Sequence, residues 1–138
     1  MESSASTLAL FGTSQKECHN PLHLYKSLLD LYMDFGEPPT DTEGLYFAIQ
    51  TILYGKSILY FRVQEEGEGR EEYLEGLHLL RNLSSTQLRI DALFLPKVSA
   101  HEIIDEGLAI CKNHHGLLLM KEADFYDWAT DWHYANPS

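Results

Sequence analysis

The chain has 138 residues, a mass of 15.8 kDa and a formal charge of −11 with a pI near 4.9. Its 44% hydrophobic and 22% charged content excludes disorder over most of the length and suits one compact soluble domain. The negative balance argues against a surface built to grip nucleic-acid phosphates, and no run approaches ~18 consecutive apolar residues, so no membrane-spanning helix is expected.

The start, Met1-Glu2-Ser3-Ser4, lacks a basic patch before an apolar core, so no secretory signal is expected. Cys18 and Cys111 are too few for a disulfide framework. Reduced thiols and a cytoplasmic location follow as the expectation. Residues 1–17 show no sustained period and read as a loosely ordered N-terminal segment, with Leu8-Ala9-Leu10-Phe11 able to dock on the body. Residues 18–138 are expected to form a single α/β domain.

Asn20-Pro21 is a helix-start signal, followed by Leu22, Tyr25, Leu29 and Tyr32 on one stripe and Leu24, Leu28, Leu31 and Phe35 on a second. Gly36 and Pro38-Pro39 stop this first helix. Two apolar stripes exceed what one packing face needs, so the helix is expected to lie between layers or to form a homodimer contact. Leu45, Ala48, Ile49, Ile52 and Leu53 match a second helix, begun by Asp41-Thr42-Glu43 and closed by Gly55.

Residues 57–64 are β-branched and aromatic and predict a strand. A helix follows over 71–82, then a strand over 87–95 ended by Pro96. Ser99 and Glu102 have the spacing of a capping box, with Ile103, Ile104, Leu108 and Cys111 on the buried face of the next helix. Leu117-Leu118-Leu119-Met120 predicts a third strand, whose continuous apolar run suits a central position covered on both faces. A last helix begins near Asp124, with Phe125, Trp128, Ala129 and Trp132 on one face. The expected fold is a small two-layer or three-layer α/β sandwich. It holds a mainly parallel three-stranded sheet in β-α-β-α-β-α order, preceded by two helices.

Ligands of such sheets bind beyond the carboxyl ends of the strands, which here bring Glu65, Glu66, Lys97, Ser99, Lys121, Glu122 and Asp124 to one side. Carboxylates beside lysines can hold a divalent ion or move protons, so a small hydrolase or metal-dependent enzyme using them and a histidine is the alternative reading. His101 with Asp105, and Cys111 with His114 and His115, fall one helical turn apart, but neither set supplies the three or four ligands of a zinc site. The glycine-rich phosphate loops and the Gly-x-Ser-x-Gly elbow are missing, so no cofactor is expected.

Gln64 to Glu75 holds six glutamates against one arginine. Phe125 to Tyr134 holds five large aromatics among acids. Together they suggest a non-enzymatic adaptor or inhibitor that recognises a basic protein partner, with no direct contact to nucleic acid or membrane. Its expected contact residues are Glu65, Glu66, Glu68, Glu71, Glu72, Tyr126, Asp127 and Tyr134.

Overall fold

A computed structural model describes residues 6–17 and 20–135, the last five of these as backbone only. The strands are β1 (Thr7–Gly12), β2 (Leu24–Tyr25), β3 (Ser57–Arg62), β4 (Ala92–Phe94) and β5 (Leu117–Leu119). The helices are α1 (Leu28–Phe35), α2 (Gly44–Leu53), α3 (Arg70–Arg81), α4 (His101–His114) and α5 (Glu122–Ala135). They form an α/β fold around one mixed sheet, ordered β2-β3-β1-β4-β5, in which only β2 is antiparallel to its neighbour. No helix among the described residues is long and apolar enough to cross a membrane.

The sheet therefore has five strands, not three, and its centre is the segment expected to be loose. Thr7–Gly12 pairs with β3 over six residues and with β4 over three. Ala9, Leu10 and Phe11 are fully buried. A strand covered on both faces has no polar face, so it shows no alternation by which to recognise it. The strands expected over 57–64 and 87–95 share this one sheet, and both run parallel to β1, which lies between them.

The chain steps from β1 to β3 in one direction, then back past β1 to β4 and on to β5. Right-handed crossovers put connections of opposite direction on opposite faces of a sheet. Leu10, Ile58, Tyr60 and Phe94 accordingly meet Leu31, Phe35, Leu45 and Ala48 of α1 and α2. Ala9, Phe11, Leu59 and Leu93 meet Tyr73, Leu77, Ile103 and Ile110 of α3 and α4 on the other face.

The first predicted helix begins late. Asn20 forms a turn in which its side-chain oxygen accepts from the Leu22 N–H and its carbonyl from the His23 N–H. Leu24 and Tyr25 then pair with β3, and the Ser27 hydroxyl caps α1 by accepting from the Asp30 N–H at 3.1 Å. Tyr25 is buried in the core and its hydroxyl donates to the Asp34 carboxylate, so of the two tyrosines on the first apolar stripe only Tyr32 is exposed for a homodimer contact. The expected capping box is also displaced: Ala100 occupies the N-cap of α4, and Glu102 turns to Arg70. The predicted third strand, β5, stands at the sheet edge and not at its centre.

Candidate functional site

β1 lies where the chain reverses its direction across the sheet, and the crevice at its carboxyl end is the usual ligand site of this architecture. Here a side chain of the protein fills it. Glu66 is only 6% exposed, and its carboxylate accepts from the Glu43 N–H at 2.8 Å, the Gly44 N–H at 2.8 Å and the Thr13 N–H at 3.3 Å. These donors are the start of α2 and the residue after β1. Glu43 provides no side-chain cap of its own, so Glu66 caps α2 from another element and meets the positive end of its dipole. The N–H groups that could hold a ligand anion are thereby used by a residue of the chain.

The fit depends on two glycines. A Cβ on Gly12 would lie 2.3 Å from the Tyr60 hydroxyl and 2.7 Å from the Gly44 Cα, and one on Gly44 would lie 2.7 Å from the Phe11 carbonyl. The Tyr60 hydroxyl donates to the Thr13 carbonyl at 3.1 Å. Burial first, and the nearby Glu66 charge second, raise the phenol pKa of Tyr60 well above its usual value, so Tyr60 is a neutral donor.

The same anchoring shapes the acidic loop between β3 and α3. The Gln64 N–H donates to Glu72 Oε1 at 2.9 Å, and the Gly67 N–H to the Tyr73 hydroxyl at 2.7 Å. Gly67, at a φ of 84°, packs so close to the Lys97 carbonyl that a Cβ would come within 2.4 Å. The loops after β3 and β4 thus meet above the end of β1. Of the acids expected on a contact surface, Glu65, Glu68 and Glu71 are exposed, Glu72 is half-buried as a loop brace, and Glu66 points inward. Glu66 therefore leaves the predicted surface. Arg70 pairs with Glu71 at 2.8 Å and with Glu102 at 2.6 Å, which holds the Glu102 carboxyl below its ordinary range.

Three other strand-end residues converge with the start of α2. The Lys97 N–H donates to Asp124 Oδ2 at 2.8 Å, its ammonium to the Asp41 carbonyl at 2.5 Å, and Lys121 pairs with Glu43 at 3.0 Å. Burial raises the Asp124 pKa above that of an ordinary aspartate, and the Glu43 charge adds to it. Each carboxylate here holds a neighbouring element in place: Asp124 ties α5 to the turn after β4, and Glu43 ties α2 to the residue before α5.

The histidine groupings resolve into packing. The His101 ring stacks on Trp128 at 5.5 Å and its Nε2 lies 3.0 Å from the Trp128 carbonyl. Buried His114 accepts from the Ile90 N–H at Nδ1, 2.9 Å, which leaves Nε2–H to donate to the Leu83 carbonyl at 3.2 Å. That assignment engages both ring nitrogens. Cys111 is buried, and burial pushes its thiol up to about 11. Among the described residues no group of three His, Cys, Asp or Glu could hold a metal ion.

Tyr126 and Asp127 are exposed on α5, away from the loop before α3 in sequence and on a different element. The side chain of Tyr134 lies outside the described residues. The residues missed from sequence, Gly12, Thr13, Gly44 and Tyr60, belong to the crevice. The available signal was the apolar run Leu8–Phe11 ending in glycine, a strand followed by a tight turn. No protein family, curated protein or solved structure matches the chain.

Proposed function

We propose that the protein is a non-enzymatic binding protein, an adaptor or inhibitor, that recognises a basic protein through the loop between β3 and α3. The observation that carries this reading is Glu66. By turning inward it fills the ligand crevice and pins the loop at three backbone N–H groups. Glu65, Glu68 and Glu71 then face solvent on a braced segment. A loop held in shape before binding loses less conformational entropy when a partner arrives. Surplus negative charge at such a site speeds encounter with a cationic surface.

The test compares the intact protein with a Glu65→Gln/Glu68→Gln/Glu71→Gln variant in affinity capture from an extract of the source organism. Glu66 and Glu72 stay unchanged because they brace the loop. Retention of a basic protein by the original chain, lost in the triple variant and eluted by salt, supports the reading. The same proteins retained by both chains would reject it.

A further inference from the structure

We infer that the open face formed by α2 and β5 seats a second copy of this chain. β5 is the edge of the sheet, and its two faces are unlike. Leu118 and Met120 pack towards α4, and Phe125 and Trp128 of α5 line the same pocket. On the other face α2 reaches as far as Phe94, where Phe47 packs ring to ring at 4.6 Å. Beyond it, among the described residues, no helix covers the sheet, and Leu117 is 68% exposed. A groove of about 650 Å³ remains, with Phe94 and Leu119 on one side and Tyr46, Phe47 and Gln50 on the other.

The charge pattern selects the occupant. α2 has no charged residue in its ten positions, Gly44–Leu53, within a chain of net charge −11. A basic partner is drawn to the carboxylates of the loop before α3, and an anionic one is repelled by the molecule as a whole. Two copies of this chain also repel one another, and least where the meeting surface carries no net charge. The groove meets that condition: its ionic residues, Glu43 and Lys121, neutralise each other.

The edge supplies the geometry. The Leu117 N–H donates inward to Asp91, so strand alternation turns the Leu118 N–H and carbonyl to the outer edge. Leu117-Leu118-Leu119 has neither a charge nor a proline, the usual protections of an exposed edge. Two such edges pair antiparallel about a twofold axis and present the same surface to each other. Tyr46, Leu53, Tyr54 and Leu117 alone expose on the order of 500 Å². With the groove walls and the strand edge, the face approaches the roughly 800 Å² per partner of a standard interface.

Sedimentation velocity on the full chain, from micromolar to millimolar concentration at two salt concentrations, tests this. The expected result is a dimer that tightens as salt screens the repulsion between the copies. Leu117→Lys and Tyr46→Glu should each weaken it by at least about tenfold, with circular dichroism and melting unchanged. Tyr46 is on the outside of a helix, so Tyr46→Glu remains informative if Leu117→Lys fails to fold. Tyr32→Glu, on α1, should leave the dimer intact. A monomer at millimolar concentration would overturn the proposal. So would a dimer that survives Tyr46→Glu, or one that only Tyr32→Glu dissolves.

Discussion

The two faces of the sheet are built differently. On one, α3 and α4 run for 12 and 14 residues over stacked rings of Phe11, Phe61 and Tyr73, with centroid separations of 4.7 and 5.5 Å. Gly76 lets α3 approach so closely that a Cβ there would lie 2.5 Å from the Phe11 ring. The outward side of this layer carries ion pairs between the helices, Arg70 with Glu102 and Arg81 with Glu106. On the other, α1 and α2 have 8 and 10 residues, and at about 1.5 Å per residue they span less of the sheet. Their core is an edge-to-face chain of Tyr25, Phe35 and Tyr60, but outside it Leu29, Tyr32, Met33, Tyr46 and Tyr54 stand exposed. Both layers bury a core. The first has ion pairs linking its two helices across the exterior, whereas the second exposes large apolar side chains beside few charges, and exposed apolar patches mark surfaces for contact.

The largest contrast should come from one leucine on each face. Leu77→Ala removes a fully buried side chain beneath α3 and should cost about 2–5 kcal/mol in urea unfolding. Leu53→Ala, on the exposed end of α2, should change stability by no more than about 0.5 kcal/mol at concentrations where the protein is monomeric. Comparable losses would mean that the α2 face is as fully packed as the other.

Glu66→Gln should destabilise by about 1–3 kcal/mol, because the amide supplies one acceptor oxygen and aims an N–H group at backbone donors. The loss should appear in chemical denaturation and be absent for Glu65→Gln. Equal effects of the two would contradict the capping role.

The alkaline limit separates the faces less sharply, since Tyr73 is under α3 and Tyr60 faces α2. Burial raises both phenol pKa values above the unfolded value of about 10. Each contribution is therefore fully present below about pH 10 and is lost as pH rises towards the folded pKa. Stability measured from pH 8 upwards should fall only beyond that point, and Tyr73→Phe should flatten the fall while losing the acceptor for the Gly67 N–H. A fall that begins near neutrality would show another group in control.

The smallest effect concerns Cys111, whose thiol is pushed up to about 11 by burial under α4. Alkylation in the native state should be slow and should track opening of the α3–α4 layer, with Leu77→Ala accelerating it. Rapid alkylation that is unchanged in Leu77→Ala would show the thiol to be exposed without opening.

The elements that were legible in the sequence are those whose signals are local. α3 and α4 announce themselves by apolar spacing, β3 by a β-branched and aromatic run, and α2 by its acidic start and glycine stop. Net charge and the absence of a long apolar segment are likewise properties of composition. The α/β class follows from these alone. The central strand was not legible, because Thr7–Gly12 is buried on both faces and borrows its partners from positions 57–62 and 92–94. Asn20-Pro21 is a sound helix start by local rules, yet pairing of Leu24 and Tyr25 with β3 moves the helix to Ser27.

Strand order and side-chain direction were decided only in three dimensions. An all-leucine strand suits a sheet centre or an open edge equally well from sequence; pairing with β4 alone put β5 at the edge. Glu66 is one of six glutamates in a dozen residues, and nothing nearby distinguishes it from Glu65. Its carboxylate turns inward because the N–H groups of Thr13, Glu43 and Gly44, 22 to 53 residues away in sequence, need an acceptor at that point. Periodicity and charge are sums over neighbours along the chain, whereas edges, crevices and the satisfaction of buried N–H groups depend on which distant segments meet.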